Sequence, residues 1–283
     1  MALAKANCDK QSQCSSYLKA VVASDMNYCV TQYANACAQS TSTADVTYGD
    51  ASAAACAQAY ATLSCDDFFT GNLPAVCVPP GNRADGAACG DDFQCAANSY
   101  CRRAAAGQCG TCTPLPTMNQ ACTGPCQGAL QCVCAAGQTS CQTGTCQPYR
   151  KIGEMCDGNF SCLPSLACVK GQCATPMIGQ ACTSGGSECS ALEAQYCDMN
   201  SMTCMAVPFM IVATGDPCGV SATNVYLCGV GLYCKTPNGA NFGVCAALPA
   251  AGSACGGNDG MTCASPATCV NGTCTNFDPG SCK

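Results

Sequence analysis

The chain has 283 residues, 35 of them Cys, with 11 Lys+Arg against 17 Asp+Glu and neither His nor Trp. Without His there is no Ser-His or Cys-His catalytic pair, no His-ligated zinc and no C-x-x-C-H haem attachment. Cations this sparse, at a formal net charge of −6, argue against a nucleic-acid binder, which needs clustered Lys and Arg. A cysteine content of about 12% is that of a disulfide scaffold. Thiols at this density point to an oxidising compartment, so the expected location is secreted or cell surface.

The opening stretch Met1–Cys8 carries no apolar h-region, so no leader is visible there. Lys5 and Asn7 stand where a lipid-attachment box would place apolar and small residues. No apolar run approaches the ~20 residues that span a bilayer. The longest such run is 207–213, Val-Pro-Phe-Met-Ile-Val-Ala.

Residues 1–80 form a distinct head. It is Ala-rich and holds Tyr17, Tyr28, Tyr33, Tyr48 and Tyr60. Tyr17, Leu18, Val21, Val22, Met26, Cys29, Val30, Tyr33 and Cys37 recur at three- and four-residue steps, which predicts a helix over 15–39. Ser40-Thr41-Ser42-Thr43 ends it. A second helix is expected from Asp50 or Ser52 to about Phe69, with Gly71 as its stop. Cys8, Cys14, Cys29, Cys37, Cys56, Cys65 and Cys77 would cross-link a helical hairpin or three-helix unit. Its role is a docking surface or a folding cap on the first repeat.

Behind the head, a four-cysteine pattern recurs six times. A small-residue entry leads to a first Cys, then come a second, a third and a closing Gly-x-Cys. The modules span 81–113, 114–148, 149–174, 175–206, 207–247 and 248–283. Their cysteines are Cys89, Cys95, Cys101 and Cys109; Cys122, Cys132, Cys141 and Cys146; and Cys156, Cys162, Cys168 and Cys173. They continue as Cys182, Cys189, Cys197 and Cys204; Cys218, Cys228, Cys234 and Cys245; and Cys255, Cys263, Cys269 and Cys274. Cys-x-x-Gly-x-Cys closes three of them, and Asn271-Gly272 is a type I′ hairpin signal. Lys170-Gly171 and Thr143-Gly144 fit turns with a left-handed Gly, and Pro237-Asn238-Gly239 sits in a longer hairpin. Units of ~25–35 residues cannot fold on apolar burial alone, and two bridges each would substitute for a core. Three connectivities are open per unit, with first-to-third and second-to-fourth favoured. Pro-containing linkers such as Thr113-Pro114 and Leu248-Pro249 should extend the array. The expected fold is therefore small and disulfide-rich: a helical head followed by six tandem β-hairpin modules in an extended array.

Cys89-Gly-Asp-Asp92-Phe-Gln-Cys95, Tyr100-Cys101 and Cys109-Gly-Thr-Cys112 resemble the Dickkopf N-terminal cysteine-rich domain. Tyr233-Cys234 repeats one of these elements. The whole layout, with its helical Cys-containing head, Asp85-Gly86-Ala-Ala-Cys89 entry and trailing four-Cys units, resembles exported cysteine-rich proteins of myxobacterial type. That resemblance implies an exported, often surface-attached protein, with no activity to transfer.

The remaining cysteines are Cys112, Cys126, Cys134 and Cys282. Cys126 and Cys134 are expected to pair, and Cys112 to pair with the odd head cysteine. An odd total then leaves Cys282 as the candidate intermolecular or free thiol. Three other chemistries compete. Cys109, Cys112, Cys122 and Cys126 could form a four-thiolate zinc site. Met199, Met202 and Met205 beside Cys204 could hold Cu(I), although packing filler fits them better. Cys109-x-x-Cys112 has the spacing of a redox pair. Asp66-Asp67 and Asp91-Asp92 are adjacent, so their side chains diverge and do not suggest an acid–base pair. Asn159-Phe-Ser161 and Asn271-Gly-Thr273 match glycosylation sequons. Phe209, Met210, Ile211 and Val212 are uncharged and β-prone, a candidate assembly strand.

The reading is an exported, non-enzymatic structural or interaction protein with no cofactor. Self-assembly into an extracellular surface fibre is its leading role. The alternatives are a monomeric binding module for a protein or glycan, then a metal-thiolate protein.

Overall fold

The computed structural model describes the chain except residues 42–44, 47, 79–80, 106, 135–142, 157–160, 184–185, 191, 221–223, 238–239, 241, 257–262 and 265–266. Ser42, Thr43, Cys141, Asn159, Asn238 and Gly239, singled out above, lie outside the described residues.

Among the described residues the head holds the α-helices α1 (Ala2–Cys14), α2 (Ser16–Ser24), α3 (Met26–Thr41), α4 (Asp50–Thr62) and α5 (Cys65–Thr70), followed by a 3-10 turn at Ala75–Cys77. The helix expected over 15–39 is two helices. Ser15 caps α2, its Oγ accepting the Leu18 amide at 3.1 Å, and Asp25 caps α3 by accepting the Tyr28 amide at 2.9 Å. Short polar side chains compete for backbone amides, so they cut an otherwise continuous apolar stripe. The second helix is cut in the same way. Ser64 accepts the Asp67 amide to start α5, and Gly71 ends it in the left-handed conformation at φ 73°. Three bridges staple the head: Cys8–Cys29, Cys14–Cys65 and Cys56–Cys77. Val22, Met26 and Val30 pack around the first, and Tyr60, Leu63 and Phe68 around the third.

Beyond the head the elements are short strands. β1 (Ala88–Cys89), β2 (Ser99–Arg102) and β3 (Gly110–Pro114) form one antiparallel sheet, and β4 (Ala121–Cys122), β5 (Leu130–Cys134) and β6 (Gly144–Pro148) a second. β7 (Ala167–Val169) pairs with β8 (Gln172–Ala174), and β9 (Gln195–Asp198) with β10 (Thr203–Ala206). β11 (Phe209–Val212), β12 (Pro217–Val220), β13 (Val225–Cys228), β14 (Leu232–Lys235) and β15 (Phe242–Ala247) form a sheet ordered β11-β13-β12-β15-β14. β16 (Thr268–Val270) and β17 (Thr273–Thr275) close the series.

One local plan recurs among the described residues. Two cysteines lie directly opposite each other in a hairpin: Cys101 and Cys112, Cys132 and Cys146, Cys168 and Cys173, Cys197 and Cys204, Cys234 and Cys245, Cys269 and Cys274. Opposed residues send their side chains to one face, so both sulfurs of a pair reach back to the preceding segment. The bridges are Cys89–Cys101 with Cys95–Cys112, Cys122–Cys132 with Cys126–Cys146, and Cys156–Cys168 with Cys162–Cys173. Next come Cys182–Cys197 with Cys189–Cys204, Cys218–Cys234 with Cys228–Cys245, and Cys255–Cys269 with Cys263–Cys274. Each is a first-to-third bridge with a second-to-fourth one. At each place the entry residue Gly86, Asn119, Gly153, Gly179, Gly215 or Gly252 is left-handed, with φ between 66° and 89°. Its amide donates to the carbonyl of the last cysteine at 2.7–2.9 Å. A side chain would find open space at Gly86, Gly153, Gly179, Gly215 and Gly252, so the positive φ is what selects glycine there.

Several expectations for the cysteines are overturned. The first set closes with Cys112 and not Cys109, so Cys112 does not reach the head. The second set is Cys122, Cys126, Cys132 and Cys146, so Cys132 bonds Cys122 rather than Cys146, and Cys126 does not pair with Cys134, which is itself bridged. Cys282 is neither free nor intermolecular, because it bonds Cys109 across a separation of 173 residues. The free thiol among the described residues is Cys37 on α3.

The Cys109–Cys282 bridge also overturns the extended arrangement. The C-terminal segment returns to the first sheet, where Gln94 is fully buried. Its Oε1 accepts the Gly90 amide at 2.7 Å and its Nε2 donates to the Pro279 carbonyl at 3.2 Å. The head contacts several of the later segments. Ser15 Oγ donates to the Leu192 carbonyl, Tyr17 stacks edge-on against Phe209, Asp66 accepts both the amide and the hydroxyl of Ser165, and Gln39 donates to the Phe277 carbonyl. Arg83 joins three regions: it pairs with Asp45 at 2.6 Å and donates to the carbonyls of Ala88 and Cys282 at 2.5 and 2.6 Å. The expected linker Thr113-Pro114 lies within the paired strand β3, and the chain path is closed by Cys109–Cys282 rather than extended.

Candidate functional site

The apolar stretch of the sequence becomes β11, the outer strand of the five-stranded sheet. It runs parallel to β13, Phe209 beside Val225 through Val212 beside Cys228. The Val225 amide donates to the Pro208 carbonyl at 2.9 Å and the Gly229 amide to the Val212 carbonyl at 3.0 Å. Bonding groups alternate along a strand, so residues 208, 210 and 212 face β13, while the backbone groups of Phe209 and Ile211 point away from the sheet. Among the described residues nothing pairs with that edge.

The side chains divide between two faces. Phe209 meets Tyr17 of α2 with ring centroids 5.7 Å apart, beside an apolar hollow lined also by Ala194, Val207, Val225 and Leu227. Met210 turns to the other face and is 46% exposed. The opposite edge of the same sheet, β14, ends in Lys235, a charge of the kind that guards an edge. β11 carries none. All four residues of the candidate strand are thus brought into one edge, with one face anchored by the head.

The other predicted sites dissolve into bridges. Cys109, Cys112, Cys122 and Cys126 bond Cys282, Cys95, Cys132 and Cys146, so neither a thiolate zinc cluster nor a Cys109–Cys112 redox pair exists. Groups of three sulfurs, such as those of Cys182, Cys189 and Cys204, do fall within 4.8 Å of one another. They are close because two bridges cross there, and a bridged sulfur offers no thiolate. Cys204 is one of them, so Met199, Met202 and Met205 have no thiolate beside them and stay exposed.

The acidic pairs are spent on local structure. Asp67 accepts from Ser64 and Asn72, which hold its carboxyl below the usual range. Asp92 accepts the Cys101 amide at 2.8 Å. Asp91 accepts the Phe93 amide and the Ser40 hydroxyl, and burial raises its pKa against the lowering effect of those bonds.

Cys37 lies half-buried in the head, and desolvation pushes its thiol pKa up. Burial also lifts Tyr48 to about 12, with Cys37 and Tyr60 as further raising neighbours. A thiol held protonated is a poor nucleophile and a poor ligand. Sequence reasoning missed Cys37, Arg83 and Gln94. Parity held a signal for the first, since seven head cysteines cannot all pair within the head. Asp91-x-x-Gln94 held a capping-box signal for Gln94, but nothing local marks the bonds of Arg83 and Gln94 to Cys282 and Pro279.

No protein-family model matches the chain, and neither does any curated protein or solved structure.

Proposed function

We propose that this is an exported, non-enzymatic structural protein that assembles with copies of itself, adding strands at the β11 edge to build an extracellular surface fibre. The observation that carries the reading is the apolar, uncharged edge at Phe209 and Ile211, whose outward amides and carbonyls have no partner among the described residues. Such an edge templates strand addition, and proteins that stay monomeric usually guard it. The other features agree with this role. The bridges need an oxidising compartment, no helix among the described residues is long and apolar enough to cross a membrane, and the paired carboxylates are committed to structural hydrogen bonds. The recurring bridge pairs act as six small modules, each held by its cystines. With Cys282 bonded internally, the assembly is noncovalent.

The test is Ile211→Pro. The Ile211 amide faces away from β13, so proline removes a donor that the sheet does not use, at an edge position where proline is tolerated. Wild-type protein is expected to form concentration-dependent oligomers or filaments in light scattering and negative-stain microscopy. Ile211→Pro should remain monomeric with an unchanged circular dichroism spectrum, while Ile211→Val should assemble. A wild type that stays monomeric at all concentrations, or an Ile211→Pro variant that assembles normally, contradicts the reading.

A further inference from the structure

Where the chain closes, the first sheet, the second sheet and the C-terminal segment leave an open cleft of about 910 Å³. A second hollow, of about 250 Å³, continues it past Tyr100 and Arg102. The two form one elongated groove, and its position on the fold is separate from β11. Tyr100 and Arg102 alternate with the buried Cys101 on β2, so they share one face and project together into the groove.

The groove collects hydrogen-bonding capacity that the protein does not use. The Arg102 guanidinium and the Tyr100 hydroxyl line it and make no hydrogen bond among the described residues. Arg103 spends one N–H on the Gly90 carbonyl at 3.0 Å and retains the rest. The carboxylate facing them, Asp91, already accepts two hydrogen bonds. In a chain with 11 Lys+Arg and a net charge of −6, two adjacent arginines beside the unspent Tyr100 hydroxyl form a local cationic spot. Phe277 and Pro125 supply flat apolar walls. The Cys89–Cys101 and Cys109–Cys282 bridges anchor both sides, so the groove needs little ordering to bind.

From these features we infer that the groove binds an acidic saccharide, with Arg102 and Arg103 holding a carboxylate or sulfate, Tyr100 meeting a hydroxyl, and the apolar walls carrying the ring faces. Arginine's planar fork matches such oxyanions. An acidic peptide fits less well. Strand addition at β2 is blocked because Asp92 already occupies the outward Cys101 amide. The groove also lacks a deep apolar pocket for side chains. The site stands whether or not the chain self-assembles.

The experiment is calorimetric titration of the full chain, at low ionic strength, with tetragalacturonate, a heparin tetrasaccharide, maltotetraose and tetraglutamate. Saturable binding of at least one acidic saccharide is expected, with maltotetraose and tetraglutamate much weaker. Arg102 is exposed and unbonded, so Arg102→Ala should fold normally and lose on the order of tenfold to a hundredfold in affinity. Arg102→Lys, which keeps the charge and loses the fork, should fall between. Preference between the galacturonate and heparin probes separates carboxylate from sulfate. Failure of both acidic saccharides to bind, equal binding of tetraglutamate, or unchanged affinity in Arg102→Ala overturns the inference.

Discussion

The head and the bridged hairpins behind it use the same covalent device for different purposes. In the head, three bridges tie together helices that also bury apolar side chains, with Tyr60, Leu63 and Phe68 around Cys56–Cys77 and Val22 and Val30 around Cys8–Cys29. In the hairpins the buried apolar residues are almost all cystine. The cluster of the first sheet is Cys89, Cys95, Cys101 and Cys112 alone, and that of β4–β6 adds only Leu130 and Cys132 at its margin. A bridge can therefore supplement a core or replace it. What decides is the length of chain available to bury apolar surface, about 80 residues in the head against ~25–35 in each hairpin unit.

The largest expected effect comes from reduction. Each hairpin pair closes short loops, from 10 to 20 residues, and each such closure contributes about 3 kcal/mol. Reductant should abolish hydrogen-exchange protection across the hairpins while the head helices keep measurable protection. Simultaneous loss in both regions would break the contrast. Smaller effects come from truncating side chains. Tyr60→Ala in the head should cost about 3 kcal/mol in denaturant unfolding. Leu166→Ala, whose residue only flanks the cystines of β7–β8, should cost about 1 kcal/mol. Equal costs would mean that the hairpins carry an apolar core after all.

The smallest effect is on pH dependence, and here the two regions differ in sign. Asp67 in the head has a lowered pKa from its Ser64 and Asn72 bonds, so its contribution is present above the unfolded pKa and lost as pH falls through the folded one. Asp91 in the first hairpin unit has a raised pKa, chiefly from burial, so folding favours its protonated form. Its contribution is present below the unfolded pKa and lost as pH rises through the folded one. Thermal unfolding between about pH 3 and pH 6 should show Asp91→Asn and Asp67→Asn tilting the stability curve in opposite directions. Parallel shifts would contradict the assignment.

Much of the local plan was readable. The first-to-third and second-to-fourth bridging, the left-handed Lys170-Gly171 and Asn271-Gly272 turns and the Gly71 helix stop all rest on short-range geometry. Asn119 replaces glycine at one entry turn because Asn also tolerates a left-handed backbone, so the turn survives the loss of its usual signal. Long-range features were not readable. Choosing Cys112 over Cys109 as the fourth cysteine of the first set needed the knowledge that Cys282 returns to Cys109. Nothing local to Cys282, Arg83 or Gln94 records that return. The strand at Phe209–Val212 could be read from composition, but its place at a sheet edge against Tyr17 could not.

The central claim is that the chain closes on itself. Its most direct test is a peptide map, made without reduction, of protein alkylated in denaturant and isolated as a monomer under denaturing conditions. The account predicts a Cys109–Cys282 cross-linked peptide and an alkyl group on Cys37. An alkylated Cys282, or a Cys282 peptide found only in a reductant-sensitive dimer, would contradict it.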